Sequence, residues 1–198
     1  MRRCLEPLHA GFGFVNRYLA LPALRAGLGP FFSTPLTGSM MILRTTGRST
    51  GLRREAPLGY VIAHGAVYCC AGFGERTAWY RNLVADPRVE VVLPAGAFAG
   101  HAEPVTDADE WRRVFPAYVR ALGIVGRATL GDLREASPER LERIRTDLPL
   151  VRIRPTGIAP GPADPGGWGW VVAQAAWLAL VIGLARGARR LTRAVARR

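Results

Sequence analysis

The chain has 198 residues, 49% of them hydrophobic, with 23 Gly, 15 Pro and 27 basic against 15 acidic side chains. That size and balance suit one folded domain with appendages and exclude a disordered chain. Three cysteines, two of them adjacent at Cys69 and Cys70, exclude a framework of disulfides and lack the spaced pairs of a zinc site, so a reducing compartment is expected. Every basic residue is Arg. Residues 1–54 hold eight Arg and one acid, residues 55–164 thirteen Arg and fourteen acids, and residues 165–198 six Arg and no acid. The positive charge therefore sits at the two ends. A nucleic-acid partner is not expected, because the middle is balanced and shows no helix-turn-helix, zinc-finger or RNP-type aromatic pattern.

In chain order, residues 1–36 read as an N-terminal helical segment, since Glu6, Pro7, His9, Asn16 and Arg17 interrupt what would have to be a signal-peptide core. Its apolar face includes Phe12, Val15, Leu19 and Leu24, with Pro22 as a kink and Gly27–Pro30 as the stop. Residues 37–155 form the principal domain. Strands are predicted over Ser39–Thr46, Glu55–Ala63 and Ala66–Gly72, the last two joined by a turn at His64–Gly65. Two more, Val89–Pro94 and Phe98–Val105, flank Ala95–Ala97, and Leu150–Arg154 is the last. Helices are predicted over Thr77–Ala85, from Asp107, and from a Ser137 cap with Pro138 in the first turn. Consecutive hairpins with few helices imply a mainly β fold, a small antiparallel barrel, not a parallel sheet.

The C-terminal end has a different composition. The stretch Pro155–Gly167 carries four Pro and four Gly, and residues 156–167 are assigned as a linker. Residues 168–198 then give an apolar run, Trp168–Ala185, followed by Arg186, Arg189, Arg190, Arg193 and Arg197 at helical spacing. As a helix the run would span roughly 27 Å, near the lower limit for a bilayer crossing. A crossing with the Arg-rich tail inside would put residues 1–160 outside, without a secretion signal to match. Attachment in the plane of the inner leaflet avoids that conflict, so the expectation is a membrane-associated protein on the cytoplasmic side of the plasma membrane. The competing reading is a buried helix with a solvated basic end.

Two segments carry candidate chemistry. Thr45–Arg54 is a loop with two Gly, four hydroxyls and three Arg between strands. Its amides, hydroxyls and guanidinium forks suit an anion, although a solvated turn would use the same residues. It is not a Walker loop, because no Gly-Lys-Ser/Thr ending follows. In Ala71–Leu83 a strand ends at small residues and leads into a short helix. Gly72 and Gly74 leave room for a flat ring, while Trp79 and Tyr80 either line that room or plug the end of the barrel.

Together the two segments resemble the deazaflavin-dependent nitroreductase family, the coenzyme F420-dependent quinone reductases, across roughly residues 37–155. The resemblance rests on Thr-Thr-Gly-Arg-x-x-Gly at Thr45–Gly51, on Arg54 with Pro57-Leu58, and on Trp79-Tyr80-x-Asn82-Leu83 followed by Asp86-Pro87-x-Val89. It implies a split β-barrel of the FMN-binding type and hydride transfer from reduced 8-hydroxy-5-deazaflavin, coenzyme F420, to a quinone or nitroaromatic acceptor. It also implies that Arg48, Ser49, Thr50, Gly51 and Arg54 hold the coenzyme's phosphate and acidic tail. Arg44 and Arg53 would add to the field there. Pro57, Ala71, Gly72, Phe73, Ala78, Trp79 and Tyr80 would line the ring, and the hydride chemistry would be the coenzyme's own.

The chain departs from the family where members often carry Lys and it has Ser49, and where nitroreducing members place several Tyr and it keeps Tyr118 ahead of Leu122, Gly123, Ile124 and Val125. That apolar stretch favours a lipophilic acceptor such as a quinone. Two alternatives use the same barrel: a non-catalytic lipid or fatty-acid binder, and an FMN-binding reductase. His9, His64 and His101 stand singly, and the acids at Asp107, Asp109 and Glu110 read as a helix cap and first-turn charge. No metal site, and no catalytic acid or base in the protein, is expected.

Overall fold

The structure is a computed structural model that describes residues 16–26, 28–29, 38–94, 96–131, 133, 136–159, 172, 175–184 and 186. Six strands, β1 (Met40–Thr46), β2 (Arg53–Ala63), β3 (Ala66–Cys70), β4 (Arg88–Leu93), β5 (Gly96–Pro104) and β6 (Leu150–Ile158), close into an antiparallel barrel in the order β1-β2-β3-β6-β5-β4. The β2–β3 hairpin turns on His64 and Gly65, both at positive φ (49° and 73°). Two consecutive left-handed residues make the turn whose twist matches the strands it joins. Closure comes from β1 pairing β4, Arg44 opposite Glu90, and from β6 entering between β3 and β5.

Alternation along the strands sorts side chains into two sets. Met41, Leu43, Val67, Cys69, Val89, Val91, Ala102, Val151 and Ile153 fill the interior, joined by Trp79, Tyr80 and Leu83 from helix α2 (Ala78–Ala85). The outer face of β2 and β3 is covered by α3 (Ala108–Ala121), which buries Trp111, Val114, Phe115, Tyr118 and Val119 at helical spacing. Asp107 caps α3 by accepting from the amides of Asp109 (3.0 Å) and Glu110 (3.2 Å). Helices α4 (Gly123–Leu130) and α5 (Pro138–Asp147) follow, the latter capped by Ser137 as predicted. Ile42 and Val92, on the outer face of β1 and β4, are covered by Leu24 of helix α1 (Leu21–Arg25).

Two expectations change. Pro22 stands in the first turn of α1, directly after the π-helical turn Asn16–Ala20. Leu24 is buried as expected, but Leu19, in the preceding π-helical turn Asn16–Ala20, is 64% exposed; Phe12 and Val15 lie outside the described residues. The strand expected to end at Arg154 continues through Pro155 to Ile158. Past Ile153 the strand has left β3 and keeps β5 alone, with a register shift at Ala99/Gly100, and Pro is tolerated at such an edge and bulge. At the C-terminal end residues 175–184 are helical and exposed. Among the described residues no helix is long and apolar enough to cross a membrane.

Candidate functional site

The end of the barrel where β1 turns into β2 carries both candidate segments. Residues 47–52 make a tight loop: the Gly47 amide donates to the Leu52 carbonyl (2.8 Å), and the amides of Thr50 (3.1 Å) and Gly51 (2.7 Å) donate to the Gly47 carbonyl. Gly51 closes it at φ +66°, a region that costs other residues strain. A side chain at Gly47 would come within 2.8 Å of Thr50 Oγ1, so that position also calls for Gly. Thr50 Oγ1 accepts from the Leu52 amide (3.4 Å) and from Arg54 Nη2 (3.5 Å). The amides of residues 47, 48, 50, 51 and 52 are thus engaged inside the protein. An anion here would meet side chains, chiefly Arg48, Ser49 and Arg54, which are exposed together with Thr50 and Gly51.

The second segment begins at Ala71, buried at the end of β3, and passes to exposed Gly72, where a Cβ would meet nothing within 4 Å. Phe73 is partly buried and Ala78 exposed. Gly74 (φ +70°) starts a 3-10 turn to Arg76, and Thr77 Oγ1 donates to the Gly74 carbonyl at 2.8 Å. Trp79 and Tyr80 point inward: they are 8% and 6% exposed, edge to face with centroids 6.1 Å apart. They close this end of the barrel, with their surroundings supplied by the interior strands.

Asn82, one turn after Trp79, ties the segments together; the sequence marks it as part of the motif but not among the expected coenzyme-binding residues. Its side chain is buried, donates from Nδ2 to Thr45 Oγ1 (3.3 Å), and accepts at Oδ1 from the Arg48 amide (3.3 Å) and Arg48 Nη1 (3.2 Å). Its place in the Trp-Tyr-x-Asn-Leu string was the available signal, but only the folded chain shows that its partner is the distant loop.

The arginines of this region divide into two kinds. Arg44, expected to add to the field at the loop, is 5% exposed on the outer face, where Nε donates to Glu55 (2.8 Å) and Nη1 to Glu90 (2.6 Å). Arg25 of α1 also donates to Glu55, and Arg53 stands 3.9 Å from Glu55 and 3.8 Å from Glu90. Burial works to raise the Glu55 pKa, but the hydrogen bonds from Arg25 and Arg44 prevail and hold it below its ordinary value. Arg44 is therefore a structural ion-pair residue, because cross-strand register sets it opposite both carboxylates. Arg48 and Arg54 have a carboxamide and a hydroxyl as their partners, and among the described residues no carboxylate pairs with either.

Other expected residues lie elsewhere. Pro57 is opposite Ile42, on the outer face of β2, whereas Ala56 and Leu58 pack toward the interior. Tyr118 is buried on α3, with its hydroxyl pKa pushed up by burial and by the nearby thiols. Leu122 packs over Gly59 of β2, where a Cβ would stand 2.3 Å from Leu122 Cδ2, and Ile124 is exposed. Cys69 and Cys70 are buried free thiols with pKa values raised by burial, which keeps them protonated and inert. Among the described residues no three His, Cys, Asp or Glu side chains come together to hold a metal ion.

A family model described as F420H(2)-dependent quinone reductase matches residues 25–123, half of the chain. Among solved structures, an F420-H2 dependent reductase named FDR-A is 18% identical, over 58% of this chain and 93% of its own, at a TM-score of 0.42. HutZ of Vibrio cholerae, described as a heme storage protein, is 16% identical over 66% and 89%, at 0.44. The conserved hypothetical protein Rv2991 of Mycobacterium tuberculosis is 18% identical over 66% and 79%, at 0.45. No curated protein matches the chain.

Proposed function

The chain belongs to the F420H2-dependent quinone reductase family, oxidoreductases whose cofactor is coenzyme F420, and from that premise we propose that the loop and α2 end of the barrel is the coenzyme site and that the acceptor is a membrane-dissolved quinone. With the family established, the lipid-carrier and flavin mononucleotide alternatives give way to a deazaflavin enzyme. The observation that carries the site is the pair Arg48 and Arg54, exposed beside each other's loop and unmatched by any described carboxylate. Such cations suit a ligand with a phosphodiester and glutamyl carboxylates, so the residues present fit the coenzyme's acidic part. Arg48, Ser49, Thr50, Gly51 and Arg54 would hold that part. Ala71, Gly72, Phe73 and Ala78 would border the ring, where the empty space at Gly72 leaves access, and Trp79 and Tyr80 would support it from below. The bound, reduced deazaflavin supplies the hydride; the protein binds, orients and excludes water.

Support for a lipophilic acceptor comes from the C-terminal helix. Trp177, Leu178, Leu180 and Leu184 are each more than half exposed, residues 175–184 contain no charged or strongly polar side chain, and the sequence that follows is Arg-rich. An exposed apolar helix followed by a basic sequence suits the surface of an anionic membrane, and this supports the reading of a protein attached at the inner face of the plasma membrane. The test is steady-state oxidation of reduced F420 by the full-length protein, with menaquinone in anionic vesicles set against a water-soluble nitroaromatic. Faster turnover on the vesicle-borne quinone is expected. Equal or faster turnover of the soluble acceptor, indifferent to vesicles, would contradict the acceptor assignment.

A further inference from the structure

Three hydrogen bonds place Asn82 between the anion loop, the first strand and the helix that bears Trp79 and Tyr80. Its chemistry matters as much as its position. Several other guanidinium groups meet carboxylates: Arg44 with Glu55 and Glu90, Arg88 with Asp86, and Arg152 with Glu103 and Glu110, while Arg140 donates to the Leu130 carbonyl at 2.9 Å. Each of the carboxylate pairs cancels the charge it orients. Arg48 is gripped at the same kind of distance, 3.2 Å, by an amide oxygen, which orients the guanidinium and leaves its charge uncompensated.

A carboxylate could not do the same. It would neutralise Arg48 and, being an acceptor only, could not donate to Thr45 Oγ1. The carboxamide meets both demands at once, its oxygen facing the loop and its nitrogen facing β1. It also removes freedom from a long side chain before any ligand arrives, which lowers the entropic cost of binding. Since Asn82 and Trp79 lie one turn apart on α2 and are both buried, the grip on Arg48 also fixes the distance between loop and ring-side helix.

We propose that Asn82 is a positioning residue of the coenzyme site: its neutral carboxamide holds Arg48 in place while leaving the guanidinium fully charged for a phosphate or carboxylate oxygen of the ligand. The inference rests on the site assignment of the preceding subsection. Its test is a double-mutant cycle on the full-length protein, with oxidised F420 titrated by fluorescence into wild type, Asn82→Ser, Arg48→Ala and their double variant, and into Asn82→Asp beside them, each checked for an unchanged melting transition. Asn82→Asp is expected to weaken binding about tenfold, as loss of one charge-assisted contact would. The salt dependence of its Kd should be shallower than that of wild type, because one cation has been cancelled within the protein. Arg48→Ala should weaken binding to a similar extent, and adding the neutral Asn82→Ser change to Arg48→Ala should alter affinity by less than about twofold, since Asn82 acts through Arg48. In turnover the KM for reduced F420 should rise with the Kd while kcat holds, a split that a general loss of structure does not give.

Affinity of Asn82→Asp within twofold of wild type, or losses that multiply in the double variant, would overturn the positioning role and leave the site assignment standing. Wild-type binding that Arg48→Ala does not weaken would instead overturn the site assignment, and the proposal with it. If Asn82→Asp melts too low to assay, Asn82→Ser tests the same link. It is neutral but too short to reach Arg48, so wild-type affinity in that variant is the overturning result.

Discussion

Arg44 shows how much of the barrel's order depends on single side chains. It lies between Glu55 and Glu90 at 2.8 and 2.6 Å, nearly excluded from water, and its removal leaves poorly solvated Glu90 with only Arg53 at 3.8 Å and Glu55 with Arg25 as its remaining hydrogen-bond partner. Arg44→Ala is expected to cost about 3–5 kcal/mol, read as a lowered denaturation midpoint, whereas exposed Arg88→Ala should change little. The same cluster gives a pH dependence with a definite sign. Glu55 has a folded-state pKa below its ordinary value of 4.5, so its contribution is full above that value and is lost as pH falls through the lower, folded one. Melting temperatures should therefore hold steady down to about pH 5 and drop below it, and the drop should be smaller in Glu55→Gln. At Cys69 and Cys70 burial keeps the thiols protonated. Alkylation followed by peptide mapping should leave both unmodified in the native protein and label both in denaturant; native labelling would contradict the packing described here.

Among the elements, hairpins were the most legible in sequence and long-range pairings the least. The β2–β3 turn at His64–Gly65 announced itself because local alternation and two turn residues agree. Nothing local shows that β1 closes on β4 or that β6 inserts beside β3, since those partners lie tens of residues apart. The sequence ends the last strand at Arg154, before Pro155, because it does not show that the strand has become an edge there. The site divides the same way. Composition and motif mark the loop residues Arg48 to Arg54 as candidates, but they do not separate Arg44 from them; cross-strand register does, by setting it against Glu55 and Glu90. Pro57, adjacent in sequence to interior residues, turns outward because the strand alternates. Packing between α3 and α4 yields a sharper test: a Cβ at Gly126 would stand 2.3 Å from the Val119 carbonyl oxygen and 2.8 Å from Leu122 Cβ. Gly126→Ala must push the helices apart and should lower stability by about 1–3 kcal/mol, against about 1 kcal/mol for loss of the α3 cap in Asp107→Ala.

On the scale of the whole molecule, charge and apolar surface are segregated. The middle of the chain is electrically balanced, while the C-terminal residues 165–198 carry six Arg and no acid beside an exposed apolar helix. Full-length protein should sediment with vesicles containing anionic lipid, release as salt is raised, and show a blue shift of Trp fluorescence on binding. Absence of sedimentation with anionic vesicles at low salt would remove the membrane from the account. The central claim is the proposed coenzyme site at the barrel end where β1, β2 and α2 meet. Its most direct test is a fluorescence titration of oxidised F420 into wild type and into the Arg48→Ala, Arg54→Ala double variant, with flavin mononucleotide as the parallel control. Saturable binding of F420 alone is expected, weakened about a hundredfold or more in the double variant, as two charge-assisted contacts of about 1.5–3 kcal/mol each would require. Equal affinity in the two proteins would contradict the account, because the acidic part of the coenzyme would then be held somewhere other than this loop.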